Sequence, residues 1–130
     1  MQNILITGCS SGIGLETALI LKRNNYKVYA SARKAKDIEM LEKLGFETFK
    51  IDVRNKEEIK YALETILRND LKLDAIFNNA GFGQPGAVED VSVEVLKEQF
   101  DTNFFGLHEV TIQAMKIFRT QGFGKIIQHS

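Results

Sequence analysis

Residues 4–14 read Ile-Leu-Ile-Thr-Gly-Cys-Ser-Ser-Gly-Ile-Gly, an uncharged β-forming run that passes through a glycine-rich turn. Ile4, Leu5 and Ile6 suit a parallel strand covered on both faces. Gly8, Gly12 and Gly14 remove side chains where the backbone must turn sharply and approach a ligand closely. Beyond them Ile13, Leu15, Ala18, Leu19 and Leu21 recur at roughly helical spacing as far as Asn24. The turn therefore feeds a helix N-terminus, whose free N–H groups and positive dipole end attract phosphate. The pattern predicts a pyrophosphate site. The alternative it leaves open is a structural strand-to-helix turn with no ligand.

Outward from this turn, strand and helix patterns alternate without interruption. Lys27–Ala32 is β-like, Ala35–Leu44 is helical and stops at Gly45, and Glu47–Ile51 alternates polar and apolar residues before Asp52. Lys56–Asn69 places Ile59, Ala62, Leu63, Ile66 and Leu67 on one helical face. Leu73–Phe77 is a fourth strand, closed by the turn Asn78-Asn79-Ala80-Gly81. One long helix is predicted from about Val93 to Arg119, and Lys125–His129 starts a fifth strand. Repeating β-α units with short turns imply an α/β fold, a doubly wound parallel sheet with right-handed crossovers. Phe100, Phe104 and Phe105 form a seam too apolar for solvent, expected to be core on one side and a subunit or further-domain contact on the other.

Composition narrows the class. A chain of 130 residues holds one core comfortably, and no linker or low-complexity tract divides it, so residues 1–130 read as a single domain. The formal net charge is zero, so no electrostatic footprint for nucleic acid or an anionic membrane is present. The apolar stretches are too short to span a bilayer, and a single cysteine excludes an intramolecular disulfide framework. A cytoplasmic protein is the expectation. Cys9, His108 and His129 show no metal-ligand spacing, so no metal site is predicted. Ser10, Ser11 and Cys9 lack any base placed by a motif. A serine before a helix more often caps it or bonds phosphate, which argues against hydrolase chemistry.

The glycine order Thr7-Gly8-x-x-x-Gly12-x-Gly14 departs from the common G-x-G-x-x-G fingerprint. A literal G-x-G-x-x-G occurs at Gly81, Gly83 and Gly86, but Pro85 lies inside it and no helix opens on Gly86. The first turn resembles that of the short-chain dehydrogenase/reductase family. The resemblance continues through Asp52-Val53, through Asn78-Asn79-Ala80-Gly81, and through Asn103 within Thr102-Asn103-Phe104-Phe105-Gly106. It implies a Rossmann-like sheet of about five strands in the order 3-2-1-4-5. It also implies an oxidoreductase that transfers hydride between a nicotinamide cofactor and a carbonyl or alcohol, and a homodimer or homotetramer.

By that resemblance, Thr7, Gly8, Ser10, Ser11, Gly12, Ile13 and Gly14 hold the pyrophosphate. Asp52 and Val53 meet the adenine, and Asn79, Ala80 and Gly81 line the central ribose region. Asn103 supports a proton relay, the remaining alternative being a simple helix irregularity marked with Gly106. Members that prefer NAD carry a carboxylate at the end of the second strand. Here that position holds Ala32, followed by Arg33 and Lys34. A guanidinium can grip a 2′-phosphate bidentately, so NADP(H) is the expected cofactor, with NAD(H) possible and a solvated basic loop the alternative. The loop Phe82–Val91, with Phe82, Pro85 and Val88, is expected to border the substrate and to favour apolar carbonyls.

The family's reaction also needs a serine, and a tyrosine followed four residues later by lysine, which lowers the tyrosine pKa. Tyr26, Tyr29 and Tyr61 have no lysine at that distance, and Ser130 falls one residue short of the serine position. The chain therefore reads as the cofactor-binding half of a longer enzyme, with the C-terminal part of the fold absent and the 130-residue chain inactive alone. A non-catalytic NADPH-binding module, acting as sensor or partner, is the competing reading.

Overall fold

The computed structural model describes residues 1–81 and 86–129. Strands β1 (Asn3–Ile6), β2 (Lys27–Ala32), β3 (Glu47–Lys50), β4 (Ala75–Asn78) and β5 (Lys125–Gln128) pair in parallel in the order β3-β2-β1-β4-β5. This is the predicted sheet order. Helices α1 (Gly12–Arg23), α2 (Ala35–Lys43), α3 (Lys56–Asp70), α4 (Val93–Phe100) and α5 (Leu107–Gln121) connect the strands. After β3 the chain returns past β1 to lay down β4 on its other side. That reversal opens a crevice at the carboxyl ends of β1 and β4.

The period of two along each strand divides the interior into two cores. Leu5 sits in register with Tyr29 and Ile76, and these three pack with Ile59, Ala62, Leu63 and Ile66 of α3 and Val110 and Ala114 of α5. Ile4 and Ile6 face the other way and join Val28, Ala30, Ala75 and Phe77 against Ala18 of α1 and Leu41 of α2. Burying each such Leu or Ile side chain contributes roughly 1.5–3 kcal/mol. A sheet covered on both faces explains why Ile4, Leu5 and Ile6 of β1 read as an apolar run rather than an alternation.

Two differences from the sequence reading go beyond one residue at an element's end. The fourth strand begins at Ala75, not Leu73, because the Gln121 side chain occupies both backbone groups of Leu73. Its Oε1 accepts from the Leu73 N–H at 2.9 Å and its Nε2 donates to the Leu73 carbonyl at 2.8 Å. The single helix expected over Val93–Arg119 is interrupted by a π-helical segment, Asp101–Gly106, between α4 and α5.

Across that interruption Thr102, Gly106, Val110 and Ala114 form a continuous buried stripe at four-residue spacing. The wider turn seats Gly106 on the loop after β3, where a Cβ would lie 2.6 Å from Val53 Cγ2. With that stripe inward, Phe100, Phe104 and Phe105 are 53%, 60% and 60% exposed. The aromatic seam expected to be half core is thus an outward face. No described helix is long and apolar enough to cross a membrane.

Candidate functional site

The first turn is shaped by what surrounds it. Thr7 is buried, and its hydroxyl oxygen accepts from the N–H groups of Asn79 and Ala80, both at 3.0 Å. The Thr7 N–H in turn donates to the Phe77 carbonyl at 3.1 Å. These three bonds tie the end of β1 to the turn after β4. Gly8 adopts φ +70, and a Cβ there would come within 2.8 Å of Ala80 Cα. At Gly14, in the first turn of α1, a Cβ would overlap the Gly8 carbonyl oxygen and the Asn79 amide nitrogen. Gly8 and Gly14 are required by close approach of the turn to its own neighbours, whereas Gly12 meets nothing within 4 Å and is required only by its φ of +60.

One peptide unit in this turn is clamped at both ends. Its oxygen, that of Gly8, accepts from Asn79 Nδ2 at 3.0 Å, and its N–H, that of Cys9, donates to the Ser31 carbonyl at 2.8 Å. The Cys9 thiol is fully buried and donates to the Ile6 carbonyl at 3.3 Å. Burial pushes its pKa up to about 12, so it is no nucleophile. Ser11 is the N-cap of α1, yet its side chain makes no capping hydrogen bond. The first-turn N–H groups of Gly12, Ile13 and Gly14 have no acceptor within the helix. Together they form a concave, electropositive backbone surface suited to an anion.

A cleft of about 140 Å³ opens beside this turn, lined by Gly8, Ser10, Ala32, Arg33, Ile51, Val53, Ala80, Gly81 and Thr102. Every strand end from β1 to β4 contributes to it, either directly or through the following loop. Ser11 and Ile13 are exposed at the α1 terminus outside its lining. Arg33 stands exposed at the rim and makes no ion pair among the described residues. Asp52 is engaged elsewhere. Its Oδ1 accepts from the backbone N–H and Nε of Arg54, and its Oδ2 accepts from the Arg54 guanidinium at 2.8 Å. That guanidinium holds the carboxyl below the usual range, with a smaller contribution from Arg33. Val53 rather than the Asp52 side chain forms the wall beside Ile51.

Asn103 is half-buried in the π-helical segment and is brought against the turn after β4. A Cβ on Gly81 would lie 2.6 Å from its Oδ1. Both readings of Asn103 thus meet at one place, since the residue lies in a helix irregularity and faces the asparagine-rich turn. The predicted substrate-bordering residues Phe82 and Pro85, Gly83 of the rejected glycine triplet, and Ser130 lie outside the described residues.

The structure adds residues that local reading did not find. Thr102 sits on the cleft wall with a buried hydroxyl oxygen that has no hydrogen-bond partner among the described residues. Its only sequence signal is its place beside Asn103. An orphaned polar atom and three glycine-lined approaches are the marks of a cradle shaped for a polar, phosphate-bearing ligand. The residues present fit a nicotinamide dinucleotide.

A family model for short chain dehydrogenases matches residues 2–130. The chain belongs to the short-chain dehydrogenase family. The uncharacterized oxidoreductase YbbO of Escherichia coli is 42% identical over 130 residues, covering 99% of this chain and 48% of YbbO. The 3-ketodihydrosphingosine reductase of Bacteroides thetaiotaomicron is 36% identical, covering 99% of this chain and 46% of its own length. Among solved structures, ElxO with NADP bound matches with a TM-score of 0.89 at 25% identity, over 98% of this chain and 54% of ElxO. The chain spans about half the length of the curated relatives it matches. As a short-chain dehydrogenase segment it carries the glycine turn, the asparagine turn and the Asn103 segment, and Tyr26, Tyr29 and Tyr61 each lack a lysine four residues later.

Proposed function

We propose that this chain is the cofactor-holding part of an NADP(H)-dependent oxidoreductase that interconverts a carbonyl and an alcohol. The carrying observation is the cradle itself, in which Gly8 and Gly14 close on one another while Arg33 stands exposed at the cleft rim. The N–H groups of Gly12, Ile13 and Gly14, with the hydroxyls of Ser10 and Ser11, bind the pyrophosphate. Arg33 binds the 2′-phosphate, and because Arg54 already neutralises Asp52, no strong carboxylate field opposes that phosphate. Val53 meets the adenine, with the Asp52 carboxylate held beside it by Arg54, and Asn79, Ala80 and Gly81 line the ribose. The nicotinamide, when bound, supplies or accepts the hydride. Asn103 holds a proton-relay position beside Gly81.

The substrate class is an apolar ketone or aldehyde. Exposed Val88 in the segment after Gly86 supports this, as does a relative named for reduction of a long-chain lipid ketone. We also assign the exposed Phe100, Phe104 and Phe105 face to contact between copies of this chain, as in a homodimer or homotetramer.

The test is cofactor titration of the wild type and Arg33→Ala. A charge-assisted hydrogen-bonded contact contributes roughly 1.5–3 kcal/mol, so the variant should bind NADPH at least tenfold more weakly while its affinity for NADH stays within twofold. Equal affinity of both proteins for NADPH would remove the assignment of Arg33.

A further inference from the structure

We propose that His129 is a positioning residue for the pyrophosphate turn, acting through Asn79 on the Gly8 carbonyl. The inference rests on the cofactor reading above. The His129 backbone N–H donates to the Asn78 carbonyl at 3.1 Å, which carries the β4–β5 ladder one residue past β5. Its ring stands edge-on to Phe77, with centroids 6.4 Å apart. In that pose Nδ1 lies 3.1 Å from Asn79 Oδ1.

The direction of each bond follows from elimination. The Gly8 carbonyl can only accept, so the Asn79 atom facing it at 3.0 Å is the Nδ2 donor. The remaining amide atom, Oδ1, must then face His129, and it too can only accept. His129 therefore carries its proton on Nδ1. A neutral imidazole and an imidazolium both satisfy this bond, whereas an apolar residue cannot.

The consequence falls on the clamped peptide between Gly8 and Cys9. Gly8 has φ +70 and no side chain, so local sterics constrain its carbonyl weakly. Asn79 fixes that oxygen where it packs against Gly14 in the first turn of α1, and His129 keeps Asn79 from rotating. With the His129 bond lost, the amide gains a second orientation. The Gly8 oxygen then lacks its donor part of the time, and the peptide is held only at its Cys9 N–H, so the turn spends less time in the shape that receives the phosphates. His129 sits at the end of the sheet with its side chain exposed, belongs to neither core and meets one of them only at the Phe77 ring, so its replacement disturbs the cores little.

Three variants and one spectrum test the proposal. His129→Leu should weaken NADPH binding about three- to tenfold, with the melting temperature shifted by less than about 2 °C. His129→Asn places an amide donor where Nδ1 stood and should return the affinity to within twofold of wild type. In an Asn79→Ala background, His129→Leu should have no further effect. Independently of any bound cofactor, a long-range proton–nitrogen spectrum of the imidazole should show the Nδ1–H tautomer in wild type. That signature should give way to the ordinary Nε2–H form in Asn79→Ala.

Equal weakening by His129→Leu and His129→Asn would overturn the proposal. So would an unchanged affinity in His129→Leu, additive losses with Asn79→Ala, or an Nε2–H tautomer in wild type. A wild-type protein that binds neither NADPH nor NADH would overturn the cofactor reading and this inference with it. Normal wild-type binding that is indifferent to His129 overturns this inference alone.

Discussion

Gly14 has no room for a methyl group. A Cβ there would strike the Gly8 carbonyl and the Asn79 amide, whereas one at Gly12 would meet nothing within 4 Å. Gly14→Ala should therefore destabilise the protein by about 1–3 kcal/mol, as overpacking does, and weaken NADPH binding more than tenfold. Gly12→Ala has only its φ of +60 to pay for, about 1 kcal/mol. Thermal melting and cofactor titration of both variants separate the two cases, and a Gly14→Ala protein as stable as wild type would refute the close approach. The glycines were legible in the sequence because their reason is local, a turn feeding a helix. His129 and the Thr7 hydroxyl were not legible, because their partners stand 50 and 72 residues away. A lone histidine or threonine carries no trace of such a partner until the sheet order is known.

Between elements, α3 is latched to β2 by a carboxylate. Asp70, the last residue of α3, pairs with Lys27 at 2.9 Å and accepts from the hydroxyl of buried Tyr29. Burial opposes ionisation of Asp70, but the Tyr29 and Lys27 hydrogen bonds outweigh it and hold its pKa below the ordinary value. A carboxyl whose folded pKa is depressed stabilises the fold above its unfolded pKa, and that stability is lost as pH falls through the folded value. Asp70→Asn keeps an acceptor for Tyr29 but cannot titrate. Near neutrality it should be about 1–2 kcal/mol less stable than wild type. The difference should shrink as pH falls below the ordinary carboxyl range and through the depressed folded value, as read by denaturant titration across pH. A difference independent of pH would show that the charge of Asp70 is not what latches the elements. Element order was readable from periodicity alone, whereas periodicity ran one helix through Asn103 and left an irregularity there only as an alternative suggested by Asn103 and Gly106. The outward face of the following phenylalanines was not, because a π turn shifts every later residue around the helix axis.

At the scale of the molecule, a formally neutral chain exposes an aromatic patch on α4 and the π-helical segment. Association through that face predicts a sedimenting species larger than one chain at micromolar concentration. The double variant Phe104→Asp, Phe105→Asp should convert it to monomer without altering the melting of the two buried cores. A wild-type protein that sediments as a monomer would disprove this assignment. The Thr7 bonds carry a different consequence, one of timing. A chain is made from its N-terminus, and β1 with its glycines emerges early. The acceptor in Thr7 nonetheless has to wait for the N–H groups of Asn79 and Ala80, and Gly8 for the Asn79 amide. Any nascent chain shorter than about these residues carries the glycine motif in full but has no formed cradle. The sequence signature is thus complete long before the site it denotes exists.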